Sequence, residues 1–236
     1  MDPRTRIVLI RHGESACNVG GIVGGHVGCT GLTDEGRSQA ELLCERLRAT
    51  GELKDAAALY SSVLPRAVQT ADAISCAVGD GALEVVQTCD LCELHPGEAD
   101  AMTWEDYERR YGQPELFAQP TRRLAPGGES WEEFVKRATD TIGLITARHP
   151  GELAVAVCHG GVIEASMVRL LPFSRQLRPL RLPTAYTSLT EWELDADGWR
   201  LVRYNDVAHL GGPHQAQSRS PHRPLRHVRR SEADGD

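Results

Sequence analysis

The sequence predicts an α/β protein built in three layers, with a mostly parallel central sheet between two layers of helices. Short, unbroken apolar runs at residues 7–10 and 153–158 are typical of strands that are buried on both faces of a parallel sheet. Each run leads through glycines into a segment with helical periodicity, and strands alternate with helices along most of the chain. With 236 residues, 41% of them hydrophobic, the chain is long enough for one large domain of this class.

The first predicted unit is a strand, a loop and a helix. The strand over residues 7–10 is followed by residues 20–31, which are too rich in glycine for regular structure. Thr33 then begins a helix, because Ala40 and Leu43 recur at the spacing of one helical face. This unit is typical of an α/β sheet.

Two further strands and two helices are predicted in the middle of the chain. Residues 57–60 form a second buried strand, residues 61–65 a turn, and Arg66 lies at the start of the next helix. Residues 83–86 are predicted to be a third strand. A short helix is predicted over residues 104–111.

The last third of the domain is predicted to be a helix, the second apolar strand, another helix and a hairpin. Ser130 and Glu133 have the spacing of a capping box, in which each side chain satisfies a free backbone N–H of the other residue. The helix after the apolar strand is predicted to end at Pro172. Two strands, residues 187–194 and 199–204, flank a turn rich in Asp and Gly.

We divide the chain into one domain, residues 1–210, with a small cap around residues 95–128, and a C-terminal tail, residues 211–236. The tail is rich in Gly, Pro, Ser, His and Arg and lacks periodic apolar residues, so disorder is predicted for it. Its five arginines outnumber its three carboxylates, which gives it a formal charge of +2. The whole chain carries −7, so the domain before the tail carries −9.

Composition excludes several classes of function. The acidic body argues against a nucleic-acid partner. The apolar stretches are far shorter than the roughly 20 residues that a membrane-spanning helix needs, and the N-terminus lacks the pattern of a secretory signal. Seven scattered cysteines predict reduced thiols and a cytoplasmic location. We therefore expect no nucleic-acid and no membrane partner, while the sequence leaves open whether the chain forms a homodimer.

Two histidines are predicted to lie at the same edge of the sheet. His12 follows the first apolar run, His159 follows the second, and each precedes a glycine. Ligands of such sheets bind at the carboxyl ends of the strands, where helix N-termini attract anions. Arg11 precedes His12 and Arg66 begins a later helix, so four basic groups would meet inside an acidic protein. Because guanidinium groups bind oxyanions bidentately, this pattern favours a phosphate site.

Five segments that contain or flank these side chains keep a fixed order along residues 7–161. They are Leu9-Ile-Arg-His-Gly-Glu-Ser15, Gly31-Leu-Thr-Asp-Glu-Gly36, Tyr60-Ser-Ser-Val-Leu-Pro-Arg-Ala-Val-Gln-Thr-Ala71, Pro126-Gly-Gly-Glu-Ser130 and Val157-Cys-His-Gly-Gly161. The set resembles the motifs of the histidine phosphatase superfamily, which includes the cofactor-dependent phosphoglycerate mutases. The resemblance implies a phosphoglycerate mutase-like fold and a histidine phosphatase domain over residues 1–210.

The resemblance also implies roles for individual residues. His12 would be the nucleophile that becomes phosphohistidine, while Arg11, Arg66 and His159 would hold the phosphoryl oxygens and Asn18 would add a polar contact. These roles agree with the chemistry, because phosphoryl transfer is accelerated mainly by positioning and by neutralising the equatorial oxygens. A neutral imidazole attacks when its other nitrogen is held as a donor, and a backbone carbonyl is the expected acceptor.

In the family, an acidic residue after the third strand protonates the leaving alkoxide. The segment 91–93 and the glycine four residues later fit this pattern, so Glu93 is predicted to act as general acid and then as base toward water. The residues that follow depart from the family pattern, which leaves Glu98 or Asp100 as alternatives. Glu14, next to the first histidine motif, is predicted to hold the arginines by charge-assisted hydrogen bonds.

The favoured activity is that of a phosphomonoester hydrolase, acting through phosphohistidine on a small phosphorylated metabolite such as a sugar phosphate or a phosphoglycerate-like acid. The short path from Gly97 to Pro126 predicts a compact cap, which resembles the phosphatases of the family rather than its mutases. Two alternatives stay open, namely phosphoglycerate mutase-type phosphoryl transfer and a non-catalytic phosphate-binding relative.

Candidates for substrate selectivity lie on the cap and loops: His26, Trp104, Arg122 and Arg123. If either arginine points inward, a second anionic group on the substrate is expected. If neither does, a neutral sugar phosphate or a broad range of substrates is favoured.

No metal or other cofactor is predicted. Cys89 and Cys92 form a single C-x-x-C motif, and no second pair has zinc-finger spacing. His26 and His95 are predicted to be loop residues rather than ligands, although His95 lies only two residues from Glu93.

Overall fold

The computed structural model describes residues 4–171 and 182–211, which form one six-stranded sheet and its covering helices. The strands are β1 (Thr5–Arg11), β2 (Ala56–Ser62), β3 (Val85–Thr88), β4 (Leu153–Cys158), β5 (Leu189–Asp195) and β6 (Gly198–Asp206). They lie in the order β3-β2-β4-β1-β5-β6. The first four strands in this order pair in parallel with one another, while β5 is antiparallel to β1 and to β6. The predicted mostly parallel sheet is therefore confirmed.

Helices cover both faces of the sheet. They are α1 (Ala16–Val19), α2 (Asp34–Thr50), α3 (Pro65–Ser75), α4 (Trp104–Tyr111), α5 (Trp131–Arg148) and α6 (Gly160–Leu170). Successive side chains of β1 point to opposite faces, so Val8 and Ile10 pack with α2 and α3 in one core. Ile7 and Leu9 pack with α5 and α6 in the other core. This arrangement confirms the three-layer αβα prediction.

Local sequence signals place the N-termini of α2 and α5 at the residues that the sequence predicts. The Thr33 hydroxyl accepts from the backbone N–H of Gly36 at 3.0 Å, which begins α2. Ser130 and Glu133 form the complete capping box that begins α5. No helix within residues 4–171 and 182–211 combines the length and the apolar character needed to cross a bilayer.

Several strand boundaries differ from the prediction, and three of these differences have a visible structural reason. β2 runs on through Ser62, because Ser61 and Ser62 still pair with β3, so only the last part of the predicted turn is a turn. β3 begins at Val85 rather than two residues earlier, where its pairing with β2 starts. The first hairpin strand begins at Leu189, since Thr187 adopts a left-handed backbone with φ of +53°, which cannot continue a strand.

A small third core lies over the sheet edge where the parallel strands end. It joins Ala99, Tyr107 of α4 and Leu124 to Val23, which comes from the early glycine-rich loop. The backbone N–H of Val23 donates to the carbonyl of Met102 at 2.8 Å, so this loop and the cap pack together. The cap bounds of 95–128 stay a prediction. Pro172 and all but the first residue of the predicted tail lie outside the described residues.

Candidate active site

Parallel pairing brings the two histidine motifs to one edge of the sheet. Arg11 lies opposite Cys158 in the register of β1 and β4, so His12 and His159 leave neighbouring strands side by side. Their ring centroids are 5.1 Å apart. Arg66 enters the same edge from the first turn of α3, which follows β2. Since these strands end at one edge, residues separated by up to 147 positions meet in space.

The His12 ring has one nitrogen tied to the backbone and one directed into the site. Its Nδ1 lies 2.6 Å from the carbonyl oxygen of Gly13, which accepts the ring proton. Its Nε2 lies 3.1 Å from Nε of Arg66, a donor, so Nε2 carries the lone pair. The side chain is 3% exposed. This tautomer is the one a nucleophilic imidazole requires.

Arg66 connects the two histidines. Its Nε lies 3.2 Å from Nδ1 of His159 as well as close to His12. Its Nη1 donates to the carbonyl of Gly24 at 2.8 Å, in the early glycine-rich loop. The guanidinium is thereby fixed between the two imidazoles, where a tetrahedral oxyanion would meet all three groups.

His159 is fully buried and is held in one orientation by both ring nitrogens. Because Nδ1 accepts from Arg66, the proton lies on Nε2, which donates to the Ser62 hydroxyl at 2.8 Å. Burial, with the nearby arginine charge, lowers the pKa of His159 well below its ordinary range. In this state Nδ1 carries no proton, so His159 could donate to a phosphoryl oxygen only after Arg66 moves away from Nδ1 and that nitrogen gains a proton.

Arg11 supplies the second positive charge from the end of β1. Its guanidinium lies 4.1 Å from the centroid of the Tyr186 ring, and it donates to the carbonyl of Thr184. Burial lowers the pKa of Arg11, but an arginine retains its charge at neutral pH. The two buried arginines, 7% and 4% exposed, give the site a net positive charge inside an acidic protein.

Glu93 lies beside the second histidine motif. Its Oε2 accepts from the backbone N–H of Gly161 at 3.0 Å, at the N-terminus of α6, and its Oε1 accepts from the N–H of Leu94 at 3.0 Å. Each carboxyl oxygen has a second lone pair that can carry a proton. The carboxyl group is therefore positioned by two main-chain N–H groups, one of which lies two residues after His159.

The other candidate carboxylates have different environments. Asp100 accepts from three backbone N–H groups of the loop at residues 25–28, at 2.8 to 2.9 Å, and these bonds lower its pKa against the opposing effect of burial. Glu98 is exposed and pairs with Arg110 at 3.5 Å. Glu14 accepts from the Thr33 hydroxyl at 2.8 Å and pairs with no arginine among the described residues. The prediction that Glu14 holds the arginines was thus wrong, because the start of α2 satisfies its carboxylate.

Asn18 lies at the edge of the site, on the short helix α1. Its side-chain oxygen accepts from the Ser15 hydroxyl at 2.5 Å. The neighbouring Cys17 sulfur lies 3.7 Å from Nη1 of Arg66, so α1 packs against the arginine. A direct contact between Asn18 and a phosphoryl group stays a prediction.

The four candidates for selectivity are divided between the cap and the early glycine-rich loop, which carries His26. Arg122 donates to the carbonyl of Tyr111, and Arg123 pairs with Glu133 of the capping box; both guanidinium groups are exposed. Trp104 contacts Tyr107 edge-to-face within the cap, with ring centroids 5.4 Å apart. His26 approaches Cys89 and His95 instead. Neither arginine adds a buried charge to the pair formed by Arg11 and Arg66.

Comparison with known proteins places this site in a family. The family model described as the histidine phosphatase superfamily, branch 1, matches residues 7–207. The chain belongs to this superfamily. Its sequence is 33% identical over 210 residues to phosphoglycerate mutase-like protein 4 of Arabidopsis thaliana. The aligned region covers 86% of this chain and 86% of the relative. It is 31% identical over 211 residues to the metal-independent phosphoserine phosphatase of Arabidopsis thaliana, over 87% of this chain and 83% of the relative.

A solved structure of the superfamily has the same fold. A mycobacterial glucosyl-3-phosphoglycerate phosphatase in complex with VO3 superposes with a TM-score of 0.68 at 26% identity, over 85% of this chain and 99% of that one. The predicted phosphoglycerate mutase-like fold is therefore confirmed. The proteins similar to this chain include phosphatases whose names specify different substrates.

The sequence did not predict two residues that shape the site of this superfamily member. Ser62 orients His159, and its signal lay in the quoted motif that ends in Ala71, where it had been assigned to a turn. Tyr186 covers Arg11 from the segment before β5, which carries no motif. The sequence alone contained no sign of Tyr186.

Proposed function

We propose that this chain is a phosphomonoester hydrolase that acts through a phosphohistidine intermediate on a small phosphorylated metabolite. The observation that carries the proposal is the position of Arg66 between Nε2 of His12 and Nδ1 of His159. A phosphate bound there would accept from Arg66 and Arg11 and would expose its phosphorus to the lone pair of His12.

In the first step, Nε2 of His12 attacks phosphorus and the bond from phosphorus to the ester oxygen breaks. The leaving alkoxide takes a proton from the Glu93 carboxyl group. The two arginines neutralise the charge that develops on the equatorial oxygens, and the Gly13 carbonyl stabilises the imidazolium character of His12 through Nδ1.

In the second step, a water molecule attacks the phosphohistidine. Glu93 accepts the water proton, the phosphorus–nitrogen bond breaks, and inorganic phosphate leaves with His12 neutral again. The two steps restore Glu93 to its protonated form, so the protons balance over one turnover.

Substrate breadth follows from the cap. Because Arg122 and Arg123 are exposed and already bonded within the cap, they supply no second anion site beside the buried pair. This supports a sugar phosphate or a range of small phosphoesters over a substrate that must carry a second anionic group. Cytoplasmic location stays a prediction; all seven cysteines are free thiols in the structure.

The proposal is tested by trapping and by product analysis. The enzyme is mixed with radiolabelled phosphoesters, quenched, and the label is mapped; we expect an acid-labile phosphoramidate on His12 that is lost in His12→Ala. Phosphate release is measured over a panel that includes phosphoserine, 3-phosphoglycerate, glucosyl-3-phosphoglycerate and hexose phosphates.

Two outcomes would contradict hydrolysis. Interconversion of 2- and 3-phosphoglycerate faster than phosphate release would favour the mutase alternative. A complete lack of phosphoenzyme and of turnover across the panel would favour the non-catalytic phosphate-binding alternative.

A further inference from the structure

A cluster of two thiols and two imidazoles lies beside the candidate active site and plays no part in the proposed chemistry. It consists of His26, Cys89, Cys92 and His95, and the nearest ligand atoms of these side chains all lie within 4.8 Å of one another. The Cys89 sulfur is 3.5 Å from Nε2 of His26 and 3.5 Å from Nε2 of His95.

We propose that these four side chains form a structural zinc site, which we name the Cys2His2 cluster. Zinc takes four tetrahedral ligands in structural sites, and two thiolates with two imidazoles are a donor set it prefers. With zinc–ligand bonds of about 2.0 to 2.3 Å, neighbouring ligand atoms in a tetrahedron are roughly 3.3 to 3.8 Å apart. The two 3.5 Å separations around Cys89 already have this spacing.

The loop that carries three of the ligands is held in place by a half-buried ion pair. Arg137 pairs with Glu129 at 2.7 Å and donates to the carbonyls of Asp90 and Cys92 at 2.8 and 3.0 Å. Glu129 also accepts from the backbone N–H of His95 at 2.9 Å. The C-x-x-C segment is therefore fixed before any ion binds, which lowers the entropic cost of binding.

Hydrogen-bonding groups behind two of the ligands orient them toward a common point. Oε2 of Glu129 lies 3.5 Å from Nδ1 of His95, which leaves Nε2 free to bind the ion. The Ser62 hydroxyl donates to the Cys92 sulfur at 3.2 Å, an arrangement that stabilises a thiolate. Carboxylate–histidine and hydroxyl–thiolate contacts of this kind are typical around protein zinc ions.

The fourth ligand arrives from a separate loop that is also anchored. Asp100 holds the loop at residues 25–28 through three backbone N–H groups, and His26 lies within that stretch. The exposed position of His26 gives an ion a path from solvent. An ion in the Cys2His2 cluster would tie this loop to the segment that carries Glu93.

The Cys2His2 cluster is connected to the phosphate site by two short routes. One runs from Cys92 through Ser62 to His159, over hydrogen bonds of 3.2 and 2.8 Å. The other runs along the loop from His26 to Gly24, whose carbonyl accepts from Arg66. The ion itself would have no role in phosphoryl transfer; it would position the residues that do.

Metal content and spectroscopy test this proposal without measuring activity. The full chain is purified under reducing conditions from zinc-containing medium, its zinc is counted by elemental analysis, and the chelated protein is titrated with Co2+. We expect one equivalent of metal per chain and the visible absorption of tetrahedral cobalt with a near-ultraviolet thiolate-to-cobalt band.

Variants assign the ion to this cluster. Cys89→Ser and His26→Ala should each lower the affinity for the metal by more than ~100-fold. Loss of a group that only hydrogen-bonds to a ligand costs at most about that much. His26 is exposed, so its replacement leaves the core intact. Cys76→Ser removes an exposed thiol outside the cluster and should bind metal like the unchanged chain.

Three results would overturn the zinc site. The first is a reduced chain that takes up neither zinc nor cobalt. The second is metal binding in Cys89→Ser and His26→Ala that is as strong as in the unchanged chain, which would place the ion elsewhere. The third is an octahedral cobalt spectrum without a thiolate band, which would show adventitious binding only. Each is independent of whether the chain hydrolyses phosphoesters.

Discussion

Nε of Arg66 lies 3.1 Å from Nε2 of His12, so the guanidinium donates to the nitrogen that would attack phosphorus. An arriving phosphate must take over this hydrogen bond, and the same movement frees the lone pair of His12. In the proposed mechanism, Arg66 holds the imidazole in the correct tautomer before the substrate binds and neutralises phosphoryl charge afterwards. This double role requires the planar fork of arginine rather than charge alone.

Replacement of Arg66 by lysine tests the importance of that fork. Arg66→Lys keeps the charge but loses the simultaneous contacts to His12, His159 and the Gly24 carbonyl. We expect kcat/KM to fall by about 10²- to 10³-fold, the loss typical of one transition-state donor. Steady-state kinetics and the inhibition constant for vanadate measure it. Activity within a few-fold of the unchanged enzyme would show that a point charge is sufficient.

Removal of the Glu93 proton should matter most for poor leaving groups. In Glu93→Gln the alkoxide of an alkyl phosphate leaves without a proton, so its kcat/KM should fall by roughly 10²- to 10⁴-fold. The kcat/KM for 4-nitrophenyl phosphate should fall far less, because its phenolate leaving group is stable without a proton. The comparison of the two substrates separates loss of proton transfer from loss of folding.

Exposed Glu98 is the matched control for that experiment. Glu98→Gln removes a surface pair with Arg110 and should leave both substrates unaffected. A larger dependence on the leaving group in Glu98→Gln than in Glu93→Gln would transfer the acid role to Glu98.

A single methyl group at Gly161 should displace Glu93. A Cβ at Gly161 would lie 2.1 Å from Oε1 of Glu93, whereas a Cβ at Gly160 would lie no closer than 3.5 Å to Arg11. We expect Gly161→Ala to reduce kcat for alkyl phosphates by roughly 10²-fold, because a shift of about 1 Å costs this much. Gly160→Ala, with the same change one residue earlier, should retain most activity. Equal rates for the two variants would show that Glu93 need not occupy its present position.

Stability should fall as the pH drops below about 6.5. Burial lowers the pKa of His209 to about 4 and that of His159 well below its ordinary range. At a pH between the pKa of such an imidazole in the folded chain and its pKa in the unfolded chain, the unfolded chain binds more protons. The free energy of unfolding therefore rises with pH in this range. The contribution is complete above the unfolded pKa and is lost on acidification, by about 1.4 kcal/mol per pH unit for each imidazole.

His209→Gln isolates one of these two groups. Nε2 of His209 lies 2.9 Å from the Thr187 hydroxyl, and a glutamine amide can replace that hydrogen bond without titrating. Urea unfolding at a series of pH values between about 4.5 and 6.5 should give a shallower pH dependence for the variant. Parallel curves for the two proteins would show that His209 does not titrate on unfolding in this range.

The sequence by itself determined the fold class and which basic side chains meet at the candidate active site. Unbroken apolar runs specify strands that are buried on both faces, and the capping box at Ser130 specifies where α5 begins. Because parallel strands end at one edge, histidines that follow two such runs must meet near that edge. These signals depend on local sequence or on strand order, so they can be identified without knowing any distance between side chains.

Only the tertiary structure decided which groups surround that site. Glu14 is satisfied by Thr33 rather than by an arginine, and Tyr186 reaches Arg11 from a segment without any motif. His26 lies 63 positions before Cys89, and only the packing of two loops brings it within 3.5 Å of that sulfur. Contacts between side chains on separate loops depend on loop conformation and on the partners each side chain finds there. Neither the periodicity nor the local spacing of residues in the sequence predicts which side chains become partners in this way.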